Sequence, residues 1–372
     1  MSTVRPTSAD GFPPNDRPVR VLLEQRGWLG RWGTRLPWIL FILAVLFALS
    51  YRSSYQRYMQ TNPKIQERYF SLSKTATQKV AIISVEGVIM QSDGFAKWQI
   101  DQVRDDPDVK AVVVRVDSPG GTVVGSDYIY HHLKQLREEK KIPIVISMGG
   151  VAASGGYYIS MAAGPTPDSI FCERTGWTGS IGVIIPHYNA GQLLESWRIV
   201  DDSVTSGPLK AMGSPTRLLT PEKAQQEHDV LQGLVDQTFA QFKEIVSEAR
   251  PKLAANANDF AKATTGQVFT AQQALELGLV DKLGFIEDAI DRAIQLANLN
   301  AADVQVVKYE QPAGLFNGLL LGESGDNSLA SAAKTALNPG GGQLSVSALF
   351  DLATPRAYML WSWIPAAIAN GR

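Results

Sequence analysis

KAVVVRVDSPGGTVVGSDYIYHHLKQLREEKKIPIVISMGG (110–150) is the stretch from which the fold can be read. Its ends, KAVVVRVDS (110–118) and IPIVISMGG (142–150), are apolar, β-branched runs. Between them, SDYIYHHLKQLREEK (126–140) places Tyr128, Ile129, Leu133 and Leu136 at helical spacing. Strand, helix, strand in this order predicts parallel pairing with helices over the sheet, an α/β class. Upstream, KVAIISVEGVI (79–89) is another such strand; downstream, a short apolar helix after Ser154 leads to SIFCE (169–173) and SIGVII (180–185). Thr220-Pro221-Glu222 is an N-cap with Pro at the first helical position. It opens a long amphipathic helix to about Arg250, striped by Val230, Leu231, Leu234, Val235, Phe239, Phe242 and Val246, which reads as ordinary core or subunit packing. Thr270 with Gln273 has capping-box spacing. A last helix, about 284–297, precedes VQVVKY (304–309), and there is no internal repeat.

The 372 residues allow one large or two ordinary domains with a substantial core. Lys+Arg 35 against Asp+Glu 36 leaves a net charge of −1 with no basic stripe, which excludes the usual nucleic-acid binder. A single cysteine, Cys172, excludes an internal disulfide framework and a Cys-rich zinc site. The four histidines leave little for a metal centre, so neither metal nor cofactor is expected.

Residues 1–35 are a polar N-terminal segment with six arginines. LPWILFILAVLFALSY (36–51) then runs without a charge between Arg35 and Arg52. It is slightly shorter than the ~20 residues that span a bilayer core, but Arg35 and Arg52 can snorkel and Trp38, Tyr51 and Tyr55 suit the interfaces. An apolar surface all round favours an uncleaved transmembrane anchor at 36–52 over a core helix, and the long leader argues against a signal peptide. The charge balance points to a cytoplasmic N-terminus, with the main domain on the extracytoplasmic side of a single-pass membrane protein. The remaining divisions are a linker or juxtamembrane helix (53–78), a catalytic domain (79–310), a flexible Gly/Ala/Ser linker (311–347) and an apolar tail (348–372) that must dock on protein or lipid.

Three glycine-rich turns could carry chemistry. Asp117-Ser118-Pro119-Gly120-Gly121-Thr122 follows a strand, and its Gly pair lets backbone N–H groups point outward, although a tight structural loop reads the same way. GGVAASGGYY (149–158) sets Ser154 among small residues at a helix start, where free N–H groups and positive potential can hold an oxyanion. SGPLKAMGSP (206–215) puts Lys210 in a Gly/Pro loop with apolar neighbours. Kept from water, such a lysine is a neutral amine able to take a proton from a serine; left in water, it is an ordinary surface lysine.

Taken together, DSPGGTV, GGVAASGGYY, TGSIGVI and SGPLKAMGSP, in this order between about Val80 and Leu299, resemble the signal peptide peptidase A family, peptidase family S49, in its short single-unit form. The resemblance implies the fold shared with caseinolytic protease and crotonase proteins, a spiral of ββα units. It also implies a serine peptidase with Ser154 as nucleophile, Lys210 as general base and Ser180 orienting the lysine. The oxyanion hole would use the N–H groups of Gly121 and Gly155, with Gly120 shaping the turn. It further implies peptide substrates such as signal-peptide remnants, a bacterial inner-membrane location in contact with lipid, and a ring-shaped homo-oligomer, an octamer, in which a neighbour completes the dyad. In some members of that family the C-terminus occupies the groove, and the apolar character of Tyr358 to Ile364 makes that stretch a candidate to do so here. AGPTPDSIFCERTGW (163–177) is longer than the usual connection there.

A catalytically dead membrane scaffold is a third class of reading, which retention of both Ser154 and Lys210 argues against; two alternatives stay open. One is a Ser-His-Asp peptidase of the caseinolytic type using His187 with Asp201 or Asp202, which leaves SGPLKAMGSP unexplained. The other is a crotonase-type acyl-CoA enzyme, which needs neither a nucleophilic serine nor an anchor.

Overall fold

A computed structural model describes Trp38, Phe41, Ile42, Ala44 and Val45 and residues 65–90, 93–311 and 358–360. The chain divides into two compact units, Met1–Gln60 and Thr61–Arg372. In the first, the five described residues are helical, with the Trp38 and Phe41 rings edge to face at 6.1 Å. The expected anchor at 36–52 otherwise lies outside the described residues, among which no helix is long and apolar enough to cross a membrane.

The second unit contains strands β1 (Gln66–Leu72), β2 (Gln78–Glu86), β3 (Val109–Ser118), β4 (Gly120–Thr122), β5 (Ile144–Ala153), β6 (Ile170–Cys172), β7 (Trp177–Gly179), β8 (Val268–Thr270), β9 (Lys282–Leu283), β10 (Val304–Glu310) and β11 (Tyr358–Leu360). Its helices are α1 (Phe95–Asp105), α2 (Val123–Lys140), α3 (Gly155–Ser160), α4 (Gly191–Ser196), α5 (Pro221–Ala249), α6 (Pro251–Ala254), α7 (Ala257–Ala263), α8 (Ala271–Leu277) and α9 (Ile286–Leu296). The main sheet runs β1-β10-β2-β3-β5-β6-β9, with β7 joining β5 to β8. All its pairs are parallel except β1 with β10 and β7 with β8.

Alternate residues of the central strands feed two cores. Ala81, Ile83, Val112, Val114, Val116, Ile146 and Met148 face α1, α2, α3 and the end of α5, where Ile100, Leu133, Tyr157 and Phe242 are buried. Val80, Ile82, Ala111, Val113 and Val145 face α9 through Ala289, Ile290, Ala293 and Ile294. Burial on both faces explains why these strands read as continuous apolar runs.

Local signals set several boundaries. Thr220 Oγ1 accepts from Lys223 N at the start of α5, and Thr270 and Gln273 form the reciprocal capping box of α8. Two segments differ from the sequence expectation. Where a linker or juxtamembrane helix was expected, Gln66–Leu72 is an edge strand paired antiparallel with β10. Residues 180–185 form no strand, only an isolated bridge at Ile184, because Gly179 (φ 91°) and Ser180 (φ 53°) turn the chain out of the sheet. In the α5 stripe, read as core or subunit packing, Phe242 and Val246 are buried within this chain while Val230 and Leu234 stay exposed.

Candidate active site

Ser154 stands between β5 and α3, and β5 is irregular just before it. Val116 pairs with Met148 but Ser118 pairs with Ala152, so Gly149, Gly150 and Val151 stand opposite Asp117 alone. The Asp117 carboxylate accepts the Val151 N–H at 3.1 Å and holds this bulge. Across it, β5 changes partner from β6 to β7. Such bulges re-aim the residues that follow.

The result is a sharp strand–turn–helix corner. Ser154 has φ 53° and ψ −112°, a strained conformation for a residue with a side chain. Ser154 N donates to Gly179 O at 2.8 Å, and Tyr158 N returns to Ser154 O at 2.9 Å. The residue is 1% exposed, and among the described residues its hydroxyl has no hydrogen-bond partner. Helix α3 is pinned by its two tyrosines, Tyr157 to Leu279 O at 2.9 Å and Tyr158 to Asp127 Oδ1 at 2.7 Å. Burial raises both phenols above their ordinary range, and for Tyr158 the Asp127 carboxylate adds to it. They therefore serve as protonated donors.

The glycines of the first turn meet this corner. A Cβ on Gly120 (φ 105°) would lie 2.8 Å from Gly155 N, and one on Gly155 would lie 3.1 Å from Gly121 N and 2.3 Å from Ser126 Oγ. Backbone contact this close leaves no room for side chains, so both positions require glycine. Gly121 is held from one side by an isolated bridge to Ile89, three residues past the end of β2, through Ile89 N to Gly120 O and Thr122 N to Ile89 O. From the other side β11 pairs antiparallel with β4, Met359 opposite Gly121. The Met359 side chain is buried in the core beside α2 and α3. An extended peptide segment thus lies along the turn next to Ser154.

The fold therefore brings Ser154, Gly120, Gly121, Gly155 and the Gly179–Ser180 turn to one place. Ser180 is buried, its N–H donating to Gln267 O at 2.7 Å. Lys210 is not brought there within one chain: it is exposed, in successive turns closed by Lys210 N to Gly207 O and Met212 N to Leu209 O. His187 is also exposed. Asp201, named as its possible partner, instead accepts from Ser203 and Thr216, and these hydrogen bonds hold its carboxyl below the usual range. Among the described residues no group of three His, Cys, Asp or Glu side chains could hold a metal ion.

Sequence reasoning missed two supports of the site. Asp117 was in view within DSPGG, but its reach to Val151 depends on the bulge. Ser126, buried with Oγ on Thr122 O at 3.0 Å, looked like an ordinary helix residue.

Comparison with known proteins gives this geometry its context. The family model for Peptidase family S49 matches residues 136–300, which include Ser154, Ser180 and Lys210. The chain is 40% identical over 252 residues to "Putative protease slr0021" of Synechocystis, covering 68% of this chain and 86% of that protein. It is 32% identical over 259 residues to "Putative signal peptide peptidase SppA" of Enterococcus faecium, covering 66% and 71%. It is 36% identical over 228 residues to Protease 4 of Salmonella typhi, covering 59% of this chain and 35% of that longer one. With a serine-bearing corner of this kind and likeness over most of the length of two such relatives, the chain belongs to peptidase family S49 and is a serine peptidase.

Proposed function

We propose that this chain is a membrane-anchored endopeptidase that uses a Ser154/Lys210 dyad on short, extended, apolar peptides such as signal-peptide remnants. The observation that carries the reading is the buried, unpartnered Ser154 hydroxyl on a strained corner beside glycine backbone. A buried hydroxyl left unpaired costs stability, and active sites are where such costs are retained.

In the proposed reaction, Ser154 Oγ attacks the scissile carbonyl carbon as the neutral Lys210 amine takes its proton. The carbonyl oxygen becomes an oxyanion held by the N–H groups of Gly121 and Gly155, the latter at the open start of α3. Collapse of the tetrahedral adduct breaks the C–N bond, and the lysine ammonium returns the proton to the departing amine. Water then attacks the ester with the same lysine as base, releasing the acid and restoring the hydroxyl. Ser180, next to the carbonyl that holds Ser154 N, would orient the amine.

The exposure of Lys210 supports completion of the dyad by a neighbouring copy, in a ring-shaped homo-oligomer of eight. The segment around it presents Tyr188, Trp197 (63% exposed), Val200 and Val204 (99% exposed), followed by Val230 and Leu234 of α5. So large an apolar arm favours a protein partner, and docking would dry the lysine. The anchor at 36–52 would hold the groove at the extracytoplasmic membrane surface, where apolar remnants collect.

The Ser-His-Asp reading is weaker because Asp201 is engaged by Ser203 and Thr216 and because it gives the SGPLKAMGSP loop no role. Membership of a peptidase family weighs against an acyl-CoA enzyme. Separate Lys210→Ala and His187→Ala variants, assayed for fluorophosphonate labelling and peptide turnover, test the proposal. Lys210→Ala is expected to abolish turnover and His187→Ala to retain it; the reverse would overturn the dyad.

A further inference from the structure

The first ten residues of α5 are exposed with one exception, Glu227, which is 5% exposed. A buried carboxylate on a helix that otherwise faces solvent calls for a reason, since removing a charge from water is costly without close partners. Its partners all belong to the loop that carries Lys210. Glu227 Oε2 accepts the N–H of Gly213 at 3.2 Å, and Glu227 Oε1 accepts from Arg217 Nη1 at 2.9 Å. The same Arg217 nitrogen donates to Ala211 O at 3.1 Å. The pair thus grips the backbone at the residue next to Lys210 and again three residues beyond it. Gly213 is itself buried with φ 75°, a turn that a residue with Cβ adopts only with strain.

Without this grip, Thr205–Pro215 would be held chiefly by its own short-range turns, with Pro215 O also accepting from Ala190 N. A lysine on such a loop would have many backbone positions to search before its amine met a hydroxyl. Charge-assisted hydrogen bonds to a rigid helix remove that search in advance.

We infer that Glu227, clamped by Arg217, is a positioning residue that fixes the Lys210 loop on α5 and so sets the place from which the lysine works. This rests on the proposed role of Lys210, and it assigns Glu227 no contact with substrate.

The test uses the full-length protein in detergent and a fluorogenic apolar peptide, comparing Glu227→Ala, Glu227→Gln, Arg217→Met and the double variant Glu227→Ala/Arg217→Met with Lys210→Ala. Glu227→Ala should lower kcat on the order of 10- to 100-fold, because small misplacements of a catalytic group have effects of that size. KM should change less than about twofold, since the substrate groove is built from other elements. Glu227→Gln, which keeps an acceptor for Gly213 N–H, should recover part of the loss. The double variant should be little worse than Glu227→Ala alone, because the two residues act as one device. Sedimentation should show unchanged assembly for Glu227→Gln, which carries the test if Glu227→Ala does not assemble. Wild-type kcat in Glu227→Gln and Glu227→Ala beside an inactive Lys210→Ala overturns the clamp and leaves the dyad standing. A loss confined to KM or to assembly also overturns it. An active Lys210→Ala overturns the dyad, and the clamp with it.

Discussion

Replacing Ser154 should make the protein more stable while removing its chemistry. The hydroxyl is buried without a hydrogen-bond partner, so Ser154→Ala deletes a polar group that folding strips of water and does not repay. Leaving such a group unsatisfied costs roughly 1–3 kcal/mol; allowing for the van der Waals attraction that disappears with the oxygen, a net gain of about 1 kcal/mol is expected. Alanine keeps the unfavourable φ of 53° and ψ of −112°. Ser154→Gly relieves that strain, worth about 1–3 kcal/mol, but increases the freedom of the unfolded chain by about 0.5–1 kcal/mol. The expected order of stability is therefore Gly at or above Ala, and Ala above Ser. A gain of about 1 kcal/mol raises the melting temperature by about 2–4 °C in a domain of roughly 150–250 residues. Thermal unfolding of the three full-length proteins in the same detergent, followed by circular dichroism, reads the order directly. Fluorophosphonate labelling should disappear in both variants. A Ser154→Ala protein that melts below wild type would refute the reasoning, because it would show the hydroxyl to be a net stabilising partner.

Gly120→Ala should lose activity and stability together. Its methyl group would press first on Met359 O and also lie 2.8 Å from Gly155 N at φ 105°, so β11 and the Gly155 backbone must both give way; displacing a proposed oxyanion donor in this way should lower kcat by on the order of 10²- to 10³-fold, checked by steady-state kinetics. Removing residues 348–372 takes β11 from the edge of β4, and labelling of Ser154 should become severalfold faster as the groove opens; an unchanged rate and unchanged assembly would count against the tail as its occupant. Cys172 is buried and, by desolvation first and the Glu173 charge second, its thiol is pushed up to about 12. At about pH 8 it therefore stays a protonated thiol, and iodoacetamide should modify it only after denaturant is added, as mass spectrometry would show.

Most of the regular structure was legible because its causes are local. Continuous apolar runs marked β2, β3 and β5, while Thr220-Pro221 and the Thr270/Gln273 pair marked helix starts by their own hydrogen bonds. The misread segments are those whose state depends on distant partners. Gln66–Leu72 is a strand because β10, at the far end of the domain's sequence, offers it an edge. The α5 stripe reads as core or subunit packing, and only the structure shows that Phe242 and Val246 enter this chain's core while Val230 and Leu234 stay exposed.

The amino-acid order alone determined which residue types could do chemistry: a serine among small neighbours, paired glycines after a strand, a lysine in a Gly/Pro loop. It did so because backbone freedom and side-chain chemistry belong to individual residues. Only the tertiary structure decided which of these meet. The bulge opposite Asp117, the change of partner by β5 and the approach of Gly120 to Gly155 N together put Ser154 beside Gly120, Gly121 and Gly155. The same fold left Lys210 exposed, since proximity between distant residues is set by packing and never by spacing along the chain.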